Sequence, residues 1–344
     1  MKIDVFNHIF PRRFFDKLNE VSPDYKDMGK RSRNIPALFD LDIRFKMMDM
    51  FGDYRQIISI ASPPIEVMAG PEITPELSQI ANDGMAELVA RYPDRFPAFA
   101  ASLPMNNPEK AAIELRRAVK ELGAKTVQIY SNAAGRPLDG PEYAPIFETM
   151  AEYDLPILLH PARGARFADY SGEAKSKYEI WWTFGWPYET SVAMARLVFS
   201  GIFDRFPDIK IITHHMGAMI PYFEGRVGHG WDQMGKRTSD EDYEGLLKSM
   251  KKRPIDYFKM FYADTALFGS YSGTRCGLDF FGADRVLFAS DSPFDPEGGT
   301  LYTRETIEVI DRLDITEDER DRIYRRNAER LFKLTIKGCV SKID

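Results

Sequence analysis

The sequence predicts an α/β fold, a (β/α)8 TIM barrel with insertions after strands 1 and 5, and three observations carry that prediction. Eight short, β-rich apolar runs alternate with segments of helical period. The runs are apolar enough to be buried on both faces, as strands of a parallel sheet are. No glycine-rich phosphate loop follows the first run, as it would in an open doubly wound sheet.

In chain order the strand candidates are 3–7 (IDVFN), 54–62 (YRQIISIAS), 96–102 (FPAFAAS), 126–131 (TVQIYS), 156–161 (PILLHP), 209–216 (IKIITHHM), 261–266 (FYADTA) and 285–292 (RVLFASDS). Helices are predicted over 76–92, 108–122, 141–153, 187–205, 240–258, 300–312 and 316–334. Pro108 and Pro141 fall in first turns, Gly123 lies just past a helix end, and Thr316 with Glu319 forms a capping-box pattern. Residues 9–53 and 162–186 exceed ordinary loop lengths and read as lids over the strand C-termini. No repeat, low-complexity tract or linker divides the chain, so residues 1–344 read as one barrel domain.

Composition narrows the function classes. With 44% hydrophobic, 28% charged and 13% aromatic residues the chain has the make-up of a globular protein with a sizeable core. The formal net charge of -6 leaves no basic footprint for nucleic acid. Two distant cysteines, Cys276 and Cys339, with no CxxC pattern, fit a reducing cytoplasm. No apolar run reaches the roughly 18 residues a membrane span needs, so the expectation is a soluble, unexported protein with no membrane partner.

Polar residues fall where a barrel places its chemistry, at the C-terminal ends of strands. His8 ends the first run, His160 the fifth, the His214–His215 pair the sixth and Asp291 the eighth, so four of the 5 histidines gather at one rim. Strict alternation puts Asp4, Phe6 and His8 on one face, and Leu287, Ala289 and Asp291 likewise share one. Imidazoles with a carboxylate suit Zn²⁺, Mn²⁺ or Fe²⁺. Neighbouring residues of a strand point opposite ways, so one of His214 and His215 enters the mouth and the other stands behind it. Trp181, Trp182 and Trp186 could wall an aromatic substrate or anchor the inserted loop or a subunit contact. Arg163, Arg166 and Arg226 follow strand ends and suit a carboxylate.

The stretches "MDMFGDYRQIISIASPP" (48–64), "EYDLPILLHPA" (152–162), "HMGAMIPYFEGR" (215–226), "RVLFASDSPF" (285–294) and "RRNAERLF" (325–332) resemble, over nearly the whole chain, the amidohydrolase-related decarboxylases and hydrolases. That family is typified by aminocarboxymuconate-semialdehyde decarboxylase and γ-resorcylate decarboxylase. The resemblance implies a metal-dependent barrel in which His8, His160 and Asp291 match ligand positions and His215 matches the acid/base histidine. It makes Arg226 a substrate-carboxylate residue that can serve a neighbouring site in a homodimer. Members usually carry His-x-His or Glu-x-His on the first strand, whereas here Phe6 stands two residues before His8 and cannot ligate. Three ligands then remain, with Asp4 a layer deeper and His214 or His215 as a replacement. The fourth strand offers Gln128 and Tyr130 rather than lysine, against a lysine-bridged dinuclear site.

The function so implied is metal-dependent (Zn or Mn), non-oxidative decarboxylation of an aromatic or enoic carboxylic acid, with His215 and Asp291 catalytic and Arg226, Trp181 and Arg163 binding substrate. The alternatives are a hydrolase with the same residues, a metal-free relative using Asp291 and His215, and a barrel retained for binding alone.

Overall fold

The computed structural model describes residues 1–22 and 27–335. Within them eight parallel strands pair in sequence order: β1 (Lys2–Ile9), β2 (Tyr54–Ile60), β3 (Ala98–Ser102), β4 (Thr126–Tyr130), β5 (Ile157–His160), β6 (Ile211–Thr213), β7 (Tyr262–Asp264) and β8 (Val286–Leu287). Each overlaps one predicted run. The last strand returns to the first through backbone hydrogen bonds from Val5 N–H to Phe288 O and from Asp291 N–H to Phe6 O, both 3.0 Å, which close the barrel.

Two apolar layers follow from this closure. Ile3, Val5, Phe6, Ile57, Ala98, Ala100, Leu158, Ile212, Leu287 and Ala289 pack with one another, most of them at every second position of their strands. They fill the barrel interior. Alternate residues such as Ile58, Phe99, Val127, Ile129, Leu159, Ile211 and Phe288 pack in the larger cluster with the buried faces of the surrounding helices.

The first strand departs from strict alternation. Its register with β2 shifts between Asp4 and Asn7, a bulge in which the Asp4 carboxylate accepts the Phe6 N–H at 3.2 Å. Asp4 consequently does not share a face with Phe6 and His8, as alternation had predicted. It turns into the seam toward Tyr54 and Ser290, while Phe6 enters the interior.

The insertion after β1 is largely helical, over Arg12–Val21, Met28–Arg33 and Leu41–Asp49, with residues 23–26 outside the described part. Arg44, fully buried, ties this insertion to the strand: it donates to Gln56 Oε1, His8 O, Ala37 O and Asn7 Oδ1 at 2.6–3.2 Å. Burial, against the attraction of Tyr54 and Asp4, lowers its guanidinium to about 10.

Three predicted helices are broken. Gly201 at φ 75° splits 187–205, Pro254 splits 240–258, and a wide turn at Arg322–Arg326 interrupts 316–334. The Thr316–Glu319 capping box is present. A helix over Tyr271–Phe281 was not predicted, because its glycines weaken the propensity signal. Gly277 has a packing reason: a Cβ there would stand 1.9 Å from Met216 Cγ, so the helix presses directly on the turn after β6.

Replacing Arg44 with Met strands four buried acceptors at about 1–3 kcal/mol each before relaxation. Urea unfolding of Arg44→Met is expected to show at least about 3 kcal/mol lost. Arg13→Ala, which removes an exposed pair with Glu87, should stay within about 0.5 kcal/mol.

Candidate active site

Strand register assembles the site. Leu158, Ile212 and Tyr262 pair across β5, β6 and β7, so two residues further on His160, His214 and Asp264 form the next layer, at the C-terminal mouth. Leu287 and Ala289 lead Asp291 into the same mouth, and the β1 bulge delivers His8. His8, His160, His214 and Asp291 are all buried, and one ligating atom from each lies within 4.8 Å of all the others.

Of the tandem pair, which the sequence leaves open as replacement ligand or as a residue behind the cluster, His214 brings a ring nitrogen within 4.8 Å of the ligating atoms of His8, His160 and Asp291. His215, at φ 56° in the turn that follows, stacks on His214 with ring centroids 3.7 Å apart and gives its Nδ1–H to Ala266 O at 2.6 Å. Phe6 forms the floor: its ring stacks on His214 at 3.8 Å and 12° and lies 5.7 Å from His160 and 5.9 Å from His8.

Hydrogen bonding fixes which ring nitrogen each imidazole presents. His160 Nδ1 is 2.7 Å from Pro161 O and His214 Nδ1 is 2.6 Å from the Asp264 carboxylate, both pure acceptors. Ser59 Oγ gives its proton to Asn7 O at 2.8 Å, so it accepts from His8 Nδ1 at 3.2 Å. Every Nδ1 is thus a donor, which leaves each Nε2 as the nitrogen that faces the cluster. Yet His8 Nε2 lies 3.1 Å, and His214 Nε2 3.4 Å, from Asp291 Oδ1. Acceptors facing one another in a buried site need a positive centre between them. The donor set fits a divalent cation.

The electrostatics set His214 apart from the other histidines: with the mouth empty a proton on its Nε2 holds the positive place beside Asp291, and a bound cation displaces that proton. Burial lowers His8 and takes His160 well below the ordinary imidazole value. It also pushes His215 down to about 4, helped by the neighbouring His214. Burial alone would lower His214 too, but the Asp264 and Asp291 carboxylates outweigh it and raise it to about 9. Against burial, His214 and His8 hold the Asp291 carboxyl well below the usual carboxylate range.

Above the cluster opens a cavity of about 600 Å³ lined by Trp181, Trp182, Trp186, Phe268, Phe294, Tyr302, Lys30 and Arg31 together with His160 and Asp291. Trp181 is buried at the wall of this cavity. Arg163 pairs with Glu189 at 2.7 Å and lines an adjoining space of about 350 Å³ that shares Ser62, Trp181 and Trp186 with the first. Arg226 is exposed beside Phe223 and does not line this chain's cavity. Asp264, Lys30, Arg31, Phe268 and Tyr302 were missed. For Asp264 a signal existed, since it lies within the predicted run 261–266, two residues after Tyr262 on the same face.

The described chain matches the family model Amidohydrolase over residues 3–334. The chain belongs to the amidohydrolase family. It is 36% identical over 309 residues to gamma-resorcylate decarboxylase of Polaromonas sp., covering 85% of this chain and 87% of that one. It is 28% identical to 2-amino-3-carboxymuconate-6-semialdehyde decarboxylase of Dictyostelium discoideum, over 93% and 88% of the two chains. Among solved structures, the dihydroxybenzoic acid decarboxylase of Polaromonas sp., with bound manganese and the inhibitor 2-nitroresorcinol, superposes with a TM-score of 0.77 at 31% identity, over 96% of each chain. Phe6 therefore sits within a barrel that is matched along 96% of its length.

A cation that binds only the folded mouth stabilises the fold by about 2.7 kcal/mol at one hundred times its Kd. Calorimetric melting of the metal-stripped protein is expected to shift upward with added Mn²⁺ or Zn²⁺, and the shift should vanish in His160→Ala.

Proposed function

We propose that the protein is a metal-dependent, non-oxidative decarboxylase of a small aromatic carboxylic acid, acting in the cytoplasm as a homodimer. The observation that carries this reading is the cluster of imidazoles and one carboxylate opening directly into an aromatic-walled cavity with two cationic side chains. Its similarity to gamma-resorcylate decarboxylase and to a manganese-containing dihydroxybenzoic acid decarboxylase supports an ortho-hydroxylated benzoate as substrate and manganese as metal, with zinc chemically admissible at the same donors.

His8, His160 and Asp291 would hold the metal in this reading, and it would supply Lewis-acid stabilisation to the anionic substrate. The chain's own residues do the rest. Trp181, Trp186 and Phe294 flank the ring and exclude water, which strengthens every polar contact inside. Arg31, whose guanidinium is fixed on Phe294 O, and Lys30 bring positive charge to the anionic acid. Asp291, after taking the phenolic proton, gives it to the ring carbon that bears the carboxylate. The carbon–carbon bond then breaks, its electron pair restores the aromatic ring and CO2 leaves; solvent reprotonates the phenolate. His215, neutral and with Nδ1 committed to Ala266 O, presents Nε2 as an acceptor for proton exchange beside the cluster. In a dimer, exposed Arg226 is the residue to reach a partner's mouth.

The test is CO2 release from 2,6-dihydroxybenzoate and related hydroxybenzoates by the manganese-loaded protein, run in D2O to follow deuterium into the vacated ring position. Asp291→Asn is expected to lower kcat by roughly 10²–10⁴-fold. Solvent ¹⁸O appearing in a product carboxylate without CO2 would make the enzyme a hydrolase. Loss of a charge-assisted contact in Arg31→Ala should raise KM about tenfold or more while kcat changes less.

A further inference from the structure

We infer that His214, oriented by Asp264, is a fourth protein ligand of the metal, supplied by the turn after β6, while Phe6 takes the room below it as an apolar floor. The inference rests on the reading of the cluster as a divalent-metal site and deepens it: the centre becomes three imidazoles and one carboxylate.

Three observations converge on His214. Its Nε2 is fully buried and has no hydrogen-bond partner, although Asp291 Oδ1 lies 3.4 Å away. An orphaned imidazole nitrogen in so dry a place calls for a ligand. Its Nδ1–H is held at 2.6 Å by Asp264, and Asp264 is itself immobilised, because its other oxygen accepts the N–H groups of His215 and Ala266 at 3.0 Å each. A carboxylate behind the far nitrogen is the arrangement that fixes tautomer and direction in a ligating histidine. Finally, the ring is clamped between Phe6 at 3.8 Å and His215 at 3.7 Å, so it cannot swing its Nε2 away from the centre.

Phe6 completes the argument by what it lacks. It lies on β1 two residues before His8, its ring touches all three histidines, and it offers only carbon. β1 therefore contributes one ligand, and the second nitrogen comes across the barrel from β6. A carboxylate introduced at residue 6 lies close enough to the same centre to replace a lost His214 nitrogen. Asp264 is a positioning residue: its amide counterpart would offer N–H to Nδ1 and favour the tautomer whose Nε2 carries a proton and cannot ligate.

The experiment titrates Mn²⁺ and Zn²⁺ calorimetrically into the metal-stripped full chain and records the visible spectrum of the Co²⁺ form, with far-UV circular dichroism to certify folding. The wild-type chain is expected to bind one equivalent. His214→Gln should weaken binding at least about 100-fold and Asp264→Asn about 10–100-fold, both with an altered Co²⁺ spectrum. Adding Phe6→Glu to His214→Gln should recover at least about tenfold of the loss. A folded His214→Gln or Asp264→Asn that binds metal with wild-type affinity and spectrum overturns the inference and leaves the three-ligand site standing. A wild-type chain that binds no metal overturns both. Should His214→Gln not fold, Asp264→Asn decides the matter alone.

Discussion

The buried Asp4 carboxylate in the seam between the first and last strands is the interaction on which the rest of the structure depends. It accepts from Tyr54, from Ser290 through both hydroxyl and backbone N–H, and from the Phe6 N–H. Burial raises it to about 6 even against these partners, the mark of a carboxylate placed for structure rather than solvation. Three consequences follow from one group. The bulge that it stabilises turns Phe6 and His8 into the barrel, the last strand is drawn to the first, and Asp291 arrives opposite His8.

Above that seam the mouth is built by subtraction. Each imidazole spends its Nδ1 proton on an acceptor outside the cluster, so the three Nε2 atoms and the Asp291 carboxylate face inward. The Phe6 floor adds only carbon to this cluster and no polar partner. Above it lies the tryptophan-walled cavity, where the two long insertions meet: one brings Lys30 and Arg31, the other Trp181, Trp182 and Trp186. The barrel thus fixes the acceptors and the insertions choose what lies against them, the usual division between a rigid scaffold and its βα loops.

The eight strands were legible because parallel barrel strands are apolar on both faces and end in polar rim residues, which marked His8, His160 and Asp291 at once. The face of Asp4 was not, because a bulge adds a residue without changing composition. The choice between His214 and His215 was equally hidden, since it is made by a positive φ at His215 and by helix Tyr271–Phe281 packing through Gly277 onto Met216. Lys30 and Arg31 lie in a short helix whose sequence, MGKRSR, carries no periodic signal, and its proximity to the mouth is purely tertiary. Cys276 is unpaired and half-buried, while Cys339 lies outside the described residues. No helix among the described residues is long and apolar enough to cross a membrane.

The most direct test of a cation-centred mouth is an anomalous difference map from crystals soaked in Mn²⁺ and measured on both sides of the manganese absorption edge. One peak per chain is expected, at ligand distance from His8, His160 and Asp291 and above the Phe6 ring. An empty mouth in well-ordered crystals, with the four side chains hydrogen-bonded to one another or to water instead, would contradict it.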